Sequence, residues 1–70
     1  MKISARNSLK GKVKEIKKGA VNNEVVIELA GGECITSIIT DTACSSLNLS
    51  VGAEVYAVIK ASNVMVAVDH

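Results

Sequence analysis

From residue 25 to residue 30 the chain alternates. Val25, Ile27 and Leu29 fall on one face of an extended segment, and Val26, Glu28 and Ala30 fall on the other. The same two-residue period continues through Cys34–Thr40, and Gly31-Gly32 between the two runs predicts a two-residue hairpin turn. Upstream, Ile3 to Lys17 reads as one long strand, with Gly11 as the position that lets it bend. The period fails over Asp41–Leu49. There Asp41 is placed to cap a helix of one to two turns carrying Ala43, Cys44 and Leu47, and Asn48 is placed to end it. Two further strands follow, Glu54–Ala61 and Val64–Val68, joined by a tight turn at Ser62-Asn63. This order of elements predicts an all-β protein: a five-stranded Greek-key barrel of the OB type with one short helix. A two-layer meander of the same elements is the alternative.

Length and composition sharpen the picture. Seventy residues support one core, so residues 1–70 are read as a single domain. A chain of this size buries only about 60% of the surface it exposes unfolded and commonly needs a staple. The apolar content is aliphatic, with ten Val and seven Ile and Tyr56 as the sole aromatic, which favours strands over an all-helical bundle. Cys34 and Cys44 are ten residues apart without a C-x-x-C spacing, and are read as buried structural thiols. The remaining staple is another chain. In the last two strands Val55, Ala57 and Ile59 oppose Tyr56, Val58 and Lys60, and Val64, Val66 and Val68 oppose Met65 and Ala67, so both faces are largely apolar. A sheet with two apolar faces needs cover on both, which predicts a homo-oligomer.

Charge is unevenly distributed. Residues 1–18 carry seven cations against Glu15, a balance of +6, whereas residues 19–70 carry Lys60 against six acids, a balance of −5. The first residues lack an apolar stretch of signal-peptide length and no run approaches a membrane span, so a cytoplasmic protein without membrane association is expected. The single histidine, His70, is the last residue, which argues against a histidine metal site or catalytic triad. Closely spaced carboxylate pairs and phosphate-loop glycines are missing as well, so no enzyme and no catalytic residues are expected.

Two segments concentrate hydrogen-bond donors. Ser4-Ala5-Arg6-Asn7 contains the only arginine, and on a strand Ser4 and Arg6 point to the same side. Lys60-Ala61-Ser62-Asn63 combines an ammonium, a hydroxyl, an amide and the backbone N–H groups of a turn. Neither segment contains Asp or Glu. A deprotonated tetrahedral dianion offers only acceptors, so a site built of donors suits molybdate, tungstate or sulfate, whereas protonated phosphate would also want an acceptor.

These same residues carry a resemblance. Ser4-Ala5-Arg6-Asn7, followed by Val58-Ile59-Lys60-Ala61-Ser62-Asn63-Val64-Met65-Val66, is similar to the molbindin (Mop) family of small molybdate-binding proteins. Leu9-Lys10-Gly11-Lys12-Val13 and Ile35-Thr36-Ser37-Ile38-Ile39 fit the same pattern, which covers nearly the whole chain. The family often has glutamine where this chain has Ser8. The resemblance implies a TOBE-type, OB-like chain assembled as a homohexamer, a trimer of dimers, with oxyanion sites between subunits. It implies a principal site made of Ser4, Ala5 and Arg6 from one subunit and Lys60, Ala61 and Ser62 from another, with the hydroxyl of Thr40. A secondary anion site would use backbone around Gly19, Ala20 and Val21 with the hydroxyl of Ser37. The implied role is intracellular storage or buffering of molybdate and tungstate, with no cofactor and no metal ligated directly by side chains.

The competing expectation is a small OB-fold that binds nucleic acid. Lys10, Lys12 and Lys14 share a strand face and are spaced to follow a phosphate backbone. Such proteins stack bases on several aromatic rings, and this chain has only Tyr56.

Overall fold

The longest element of the computed structural model, which describes residues 2–69, is strand β1 (Asn7–Lys18), and it belongs to two pairings at once. Its first half, Asn7 to Lys12, runs antiparallel to β4 (Glu54–Ile59). Its second half, Gly11 to Lys18, runs antiparallel to β2 (Asn22–Leu29). Strand β3 (Cys34–Thr40) pairs with the far side of β2, giving the order β3-β2-β1-β4 and leaving β3 and β4 as the edges of the sheet.

Gly11 sits where β1 passes from one partner to the other, opposite both Leu29 and Val55. A Cβ there would lie 2.6 Å from the Glu28 carbonyl oxygen and 2.8 Å from Ile27 Cγ2, so the glycine permits a close approach of strands. The irregularity in β1 is elsewhere: the β1–β2 register slips between Val13 and Glu15, making Lys14 the bulged position. The strand also begins at Asn7 and not at Ile3.

The β2–β3 connection is one residue longer than expected. Leu29 N–H donates to the Glu33 carbonyl at 2.8 Å and Gly32 N–H donates to the Leu29 carbonyl at 3.0 Å, which encloses the three residues Ala30, Gly31 and Gly32. Gly32 adopts φ 93°, the left-handed conformation that closes a three-residue hairpin loop.

Helix α1 (Asp41–Ser46) is capped by Thr40 and not by Asp41: the Thr40 hydroxyl accepts the Ala43 N–H at 3.0 Å. At its other end Asn48 takes φ 55°, with Asn48 N–H donating to the Ser45 carbonyl and Leu49 N–H to the Cys44 carbonyl. These two bonds form a Schellman motif with asparagine in the left-handed position, as the sequence predicts for Asn48.

The alternation of β2 is reproduced. Val25 and Ile27 are buried and join Val13 and Ala57 in a core to which Ile16, Leu29, Ile35, Ile39, Leu49, Ala53 and Val55 contribute. Cys44 is buried against this layer, but Cys34 is exposed, contrary to expectation, because it starts the edge strand; both thiols are free.

Four of the five expected strands form the ladder. After β4 a 3-10 turn (Ala61–Asn63) replaces the tight hairpin, and among the described residues Val64–Val68 pairs with no strand. Met65 is 93% and Val66 90% exposed. The result is mostly β with one short helix: a half-barrel with an apolar groove of about 450 Å³ on its concave side, lined from both edge strands.

Candidate functional site

The β1–β4 ladder decides where the donors lie. Its last pair is Asn7 opposite Ile59, reinforced by the Asn7 side chain, whose Nδ2 donates to the Ile59 carbonyl at 3.3 Å. Arg6 and Lys60 are the residues that step off this ladder on either side. Segments separated by more than fifty residues in sequence thus leave the sheet at one end, with Ser4, Arg6, Lys60, Ala61 and Ser62 all exposed and Ala5 half-buried.

The 3-10 turn after Lys60 adds backbone donors. It is closed by Asn63 N–H to the Lys60 carbonyl at 2.9 Å and Val64 N–H to the Ala61 carbonyl at 3.2 Å. The N–H groups of Ala61 and Ser62 head the turn, where no preceding carbonyl of the turn serves them. A guanidinium, an ammonium, hydroxyls and free N–H groups therefore share one end of the sheet, an arrangement rich in hydrogen-bond donors.

Three glutamates are paired with other lysines. The ion pairs of the described residues are Lys10–Glu54, Lys14–Glu28 and Lys17–Glu24, each at 3.8 Å, and neither Arg6 nor Lys60 takes part in them. All three are exposed cross-strand pairs and contribute little to stability. Their chemical consequence is larger: two lysines of the stripe proposed to follow a phosphate backbone, Lys10 and Lys14, each face a glutamate.

Of the other predicted residues, Thr40 and Gly19–Val21 lie at the opposite end of the sheet. Thr40 pairs with Asn22, the Asp41 N–H donates to the Val21 carbonyl at 2.8 Å, and the Gly19 N–H reaches the Asn22 carbonyl at 3.0 Å. This brings Thr40 together with Gly19, Ala20 and Val21. Within one chain it does not bring Thr40 to Arg6 or Lys60, since the 12 residues of β1 intervene, roughly 40 Å of contour at about 3.3 Å per residue. Ser37, opposite Val25 in mid-strand, is half-buried on the wall of the apolar groove and apart from Gly19–Val21.

One polar residue escaped the sequence reading. Asn23 is fully buried. Its Oδ1 accepts the Gly19 N–H at 3.3 Å and its Nδ2 donates to Asp41 Oδ1 at 2.9 Å, tying the β1–β2 turn to the start of α1. The signal was present in the period: positions 23, 25 and 27 share the inward face, so Asn23 is a polar group at a core position. Among the described residues no cluster of three or more His, Cys, Asp or Glu is placed to hold a metal ion, and no helix is long and apolar enough to cross a membrane. His70 lies outside the described residues.

An oxyanion-type donor cluster at the end of a curled, mostly β chain is the frame into which the comparisons fit. The TOBE domain profile matches residues 3–66. A probable molybdenum-pterin-binding protein of Haemophilus influenzae is 54% identical over 69 residues, covering 99% of this chain and 100% of that protein. Molybdenum-pterin-binding protein 2 of Clostridium pasteurianum is 54% identical over 66 residues, covering 94% and 97%. Among solved structures, MopII from Clostridium pasteurianum superposes with a TM-score of 0.90 at 52% identity, over 96% of this chain and 100% of that one. A molybdate-binding protein from Sporomusa ovata also gives 0.90, at 39% identity over 96% and 98%. The chain belongs to the TOBE domain family, and within it to the small molbindin (Mop) proteins.

Proposed function

We propose that residues 1–70 form a single molbindin domain that binds molybdate, and tungstate as its close analogue, as an intact dianion held by hydrogen bonds between subunits of a homo-oligomer. The observation that carries this reading is the β1–β4 register, which delivers Ser4-Ala5-Arg6 and Lys60-Ala61-Ser62, two segments containing no carboxylate, to one end of the sheet. The relatives support it. They are named for molybdenum-pterin or molybdate binding, and the cytoplasmic molybdate-binding protein ModG, 54% identical and structurally similar with a TM-score of 0.89, has been solved with molybdate bound.

In this reading Ser4 and Arg6 of one subunit and Lys60, Ala61 and Ser62 of another enclose the anion. Thr40, remote from both inside one chain, joins them only from a neighbouring subunit. Gly19, Ala20 and Val21 with Ser37 of a neighbour form the secondary anion site. The assembly is a hexamer, a trimer of dimers, in which each half-barrel is completed to five strands. Each charge-assisted hydrogen bond contributes about 1.5–3 kcal/mol, and a micromolar site needs about 8 kcal/mol net, so four or five preorganised donors suffice. Without a histidine or carboxylate among its residues to act as a general acid or base, the site binds and releases its ligand unchanged. The protein then acts as a cytoplasmic store or buffer and not as an enzyme.

Calorimetric titration of the assembled protein with molybdate, tungstate and sulfate tests this. Saturable molybdate binding at a fixed number per chain is expected. Heats no larger than dilution for both molybdate and tungstate would refute the proposal. Nucleic-acid binding is the weaker reading, because Lys10 and Lys14 are engaged by Glu54 and Glu28 and the single aromatic gives no stacking platform.

A further inference from the structure

We infer that Asn7 is a positioning residue of the molybdate site proposed above, on which this role rests: its side-chain amide latches the open end of the β1–β4 ladder and fixes the directions in which Arg6 and Lys60 leave the sheet. Among the side-chain hydrogen bonds of the described residues, Asn7 Nδ2 to the Ile59 carbonyl at 3.3 Å is the one that joins the two donor segments. It spans 52 residues of sequence. Its ends are Asn7, which follows Arg6, and Ile59, which precedes Lys60, and these two residues form the last pair of the ladder.

The ladder needs a latch at this point. Continued by one step, the register would set Arg6 opposite Lys60, and like charges directly opposite across two strands repel. Strand β4 is also an edge, with β1 as its one neighbour in the sheet, so Ile59 depends on β1 for its place. The ends of such ladders fray. Fraying here would let the guanidinium and the ammonium swing freely, and each donor that must be ordered on binding subtracts from affinity.

The residue type suits the task. An amide donates without bringing a charge beside an oxyanion, and Asn7 is half-buried, where its bond to the carbonyl is partly shielded from competing water. In the proposed site the two cations come from different subunits, so each anion is held by one latched Arg6 and one latched Lys60. Loss of Asn7 from every chain therefore loosens both sides of each site.

Molybdate titration of Asn7→Leu, which keeps the size of the side chain and removes its donor, tests the assignment. The variant is expected to keep the mass of the parent assembly, to melt within about 5 °C of it, and to bind molybdate about tenfold more weakly. Arg6→Ala supplies the readout that a merely structural role would not move. Without the guanidinium only Lys60 is left to position, so Asn7→Leu in that background should cost about threefold, half of the tenfold effect on a logarithmic scale. In a Lys10→Ala background it should cost the full tenfold. If Asn7→Leu fails to assemble, Asn7→Ser carries the same comparison, because its hydroxyl is one atom shorter and out of reach of a carbonyl already at 3.3 Å. Parent-like affinity after loss of the amide, or the same tenfold loss with and without Arg6, would overturn the positioning role and leave the molybdate site standing. A parent protein that does not bind molybdate removes the anion site itself, and the positioning role with it.

Discussion

Asn23 Nδ2 donates to Asp41 Oδ1 at 2.9 Å, from a side chain with no exposure to solvent. This contact joins the turn after β1 to the cap of α1, and through it the backbone of Gly19–Val21 is held against Thr40. Among the described residues Asn23 is the only buried polar side chain.

Replacing Asn23 with Ala is expected to destabilise the protein by about 1–3 kcal/mol, because the Gly19 N–H and the Asp41 carboxylate lose a partner together. Asn23→Asp should be no better, since it sets a second carboxylate against the first. Urea unfolding at fixed protein concentration measures both; unchanged midpoints would show that the link is dispensable.

Gly11→Ala is expected to destabilise by about 1–3 kcal/mol, because the new methyl meets the Glu28 carbonyl, which belongs to the ladder and cannot step aside. At Gly32 a Cβ meets nothing within 4 Å, and Gly32→Ala costs about 1 kcal/mol through its left-handed φ alone. Thermal melts of the two variants should therefore rank Gly11→Ala below Gly32→Ala.

Arg6→Ala and Lys60→Ala are each expected to weaken molybdate binding about 10- to 100-fold, the equivalent of one charge-assisted hydrogen bond. Lys10→Ala, whose ammonium faces Glu54, should leave the affinity within about twofold of the parent, since an exposed pair of this kind contributes under about 1 kcal/mol. Equal losses in all three titrations would refute the assignment of the site.

Thr40→Val removes the oxygen that caps α1 and should cost about 1 kcal/mol, whereas Thr40→Ser should restore it. Circular dichroism during denaturation reports the loss, and rescue by serine distinguishes capping from packing of the methyl group.

No shift of single-stranded DNA or RNA is expected in a gel at moderate salt. Lys10, Lys14 and Lys17 each face a glutamate across the ladder, so a phosphate backbone would have to displace an existing partner at each of these positions. A salt-sensitive shift would revive the nucleic-acid reading.

What could be read without coordinates was whatever depends on near neighbours. The inward face of β2, the presence of a β2–β3 hairpin though not its three-residue loop, the short helix and its end at Asn48 all follow from local pattern or from the conformational freedom of one residue. The donor segments were legible for the same reason, as residue types in a row. Errors arose where a neighbour a few residues away competes. Thr40 took the cap from Asp41 because its hydroxyl reaches the Ala43 N–H, which leaves Asp41 free to receive Asn23. Gly11 was expected to let β1 bend; it serves instead for a close strand contact, and the irregularity of β1 lies at Lys14.

By itself the sequence determined which side of β2 faces inward, since alternation is a property of the pleat and needs no partner. Only the tertiary structure decided who stands beside whom: that Arg6 and Lys60 leave one ladder together, that Thr40 stays at the far end, and that among the described residues Val64–Val68 pairs with no strand. Register is a long-range quantity. It follows from how apolar faces and backbone bonds are satisfied across the whole sheet, which no single segment contains.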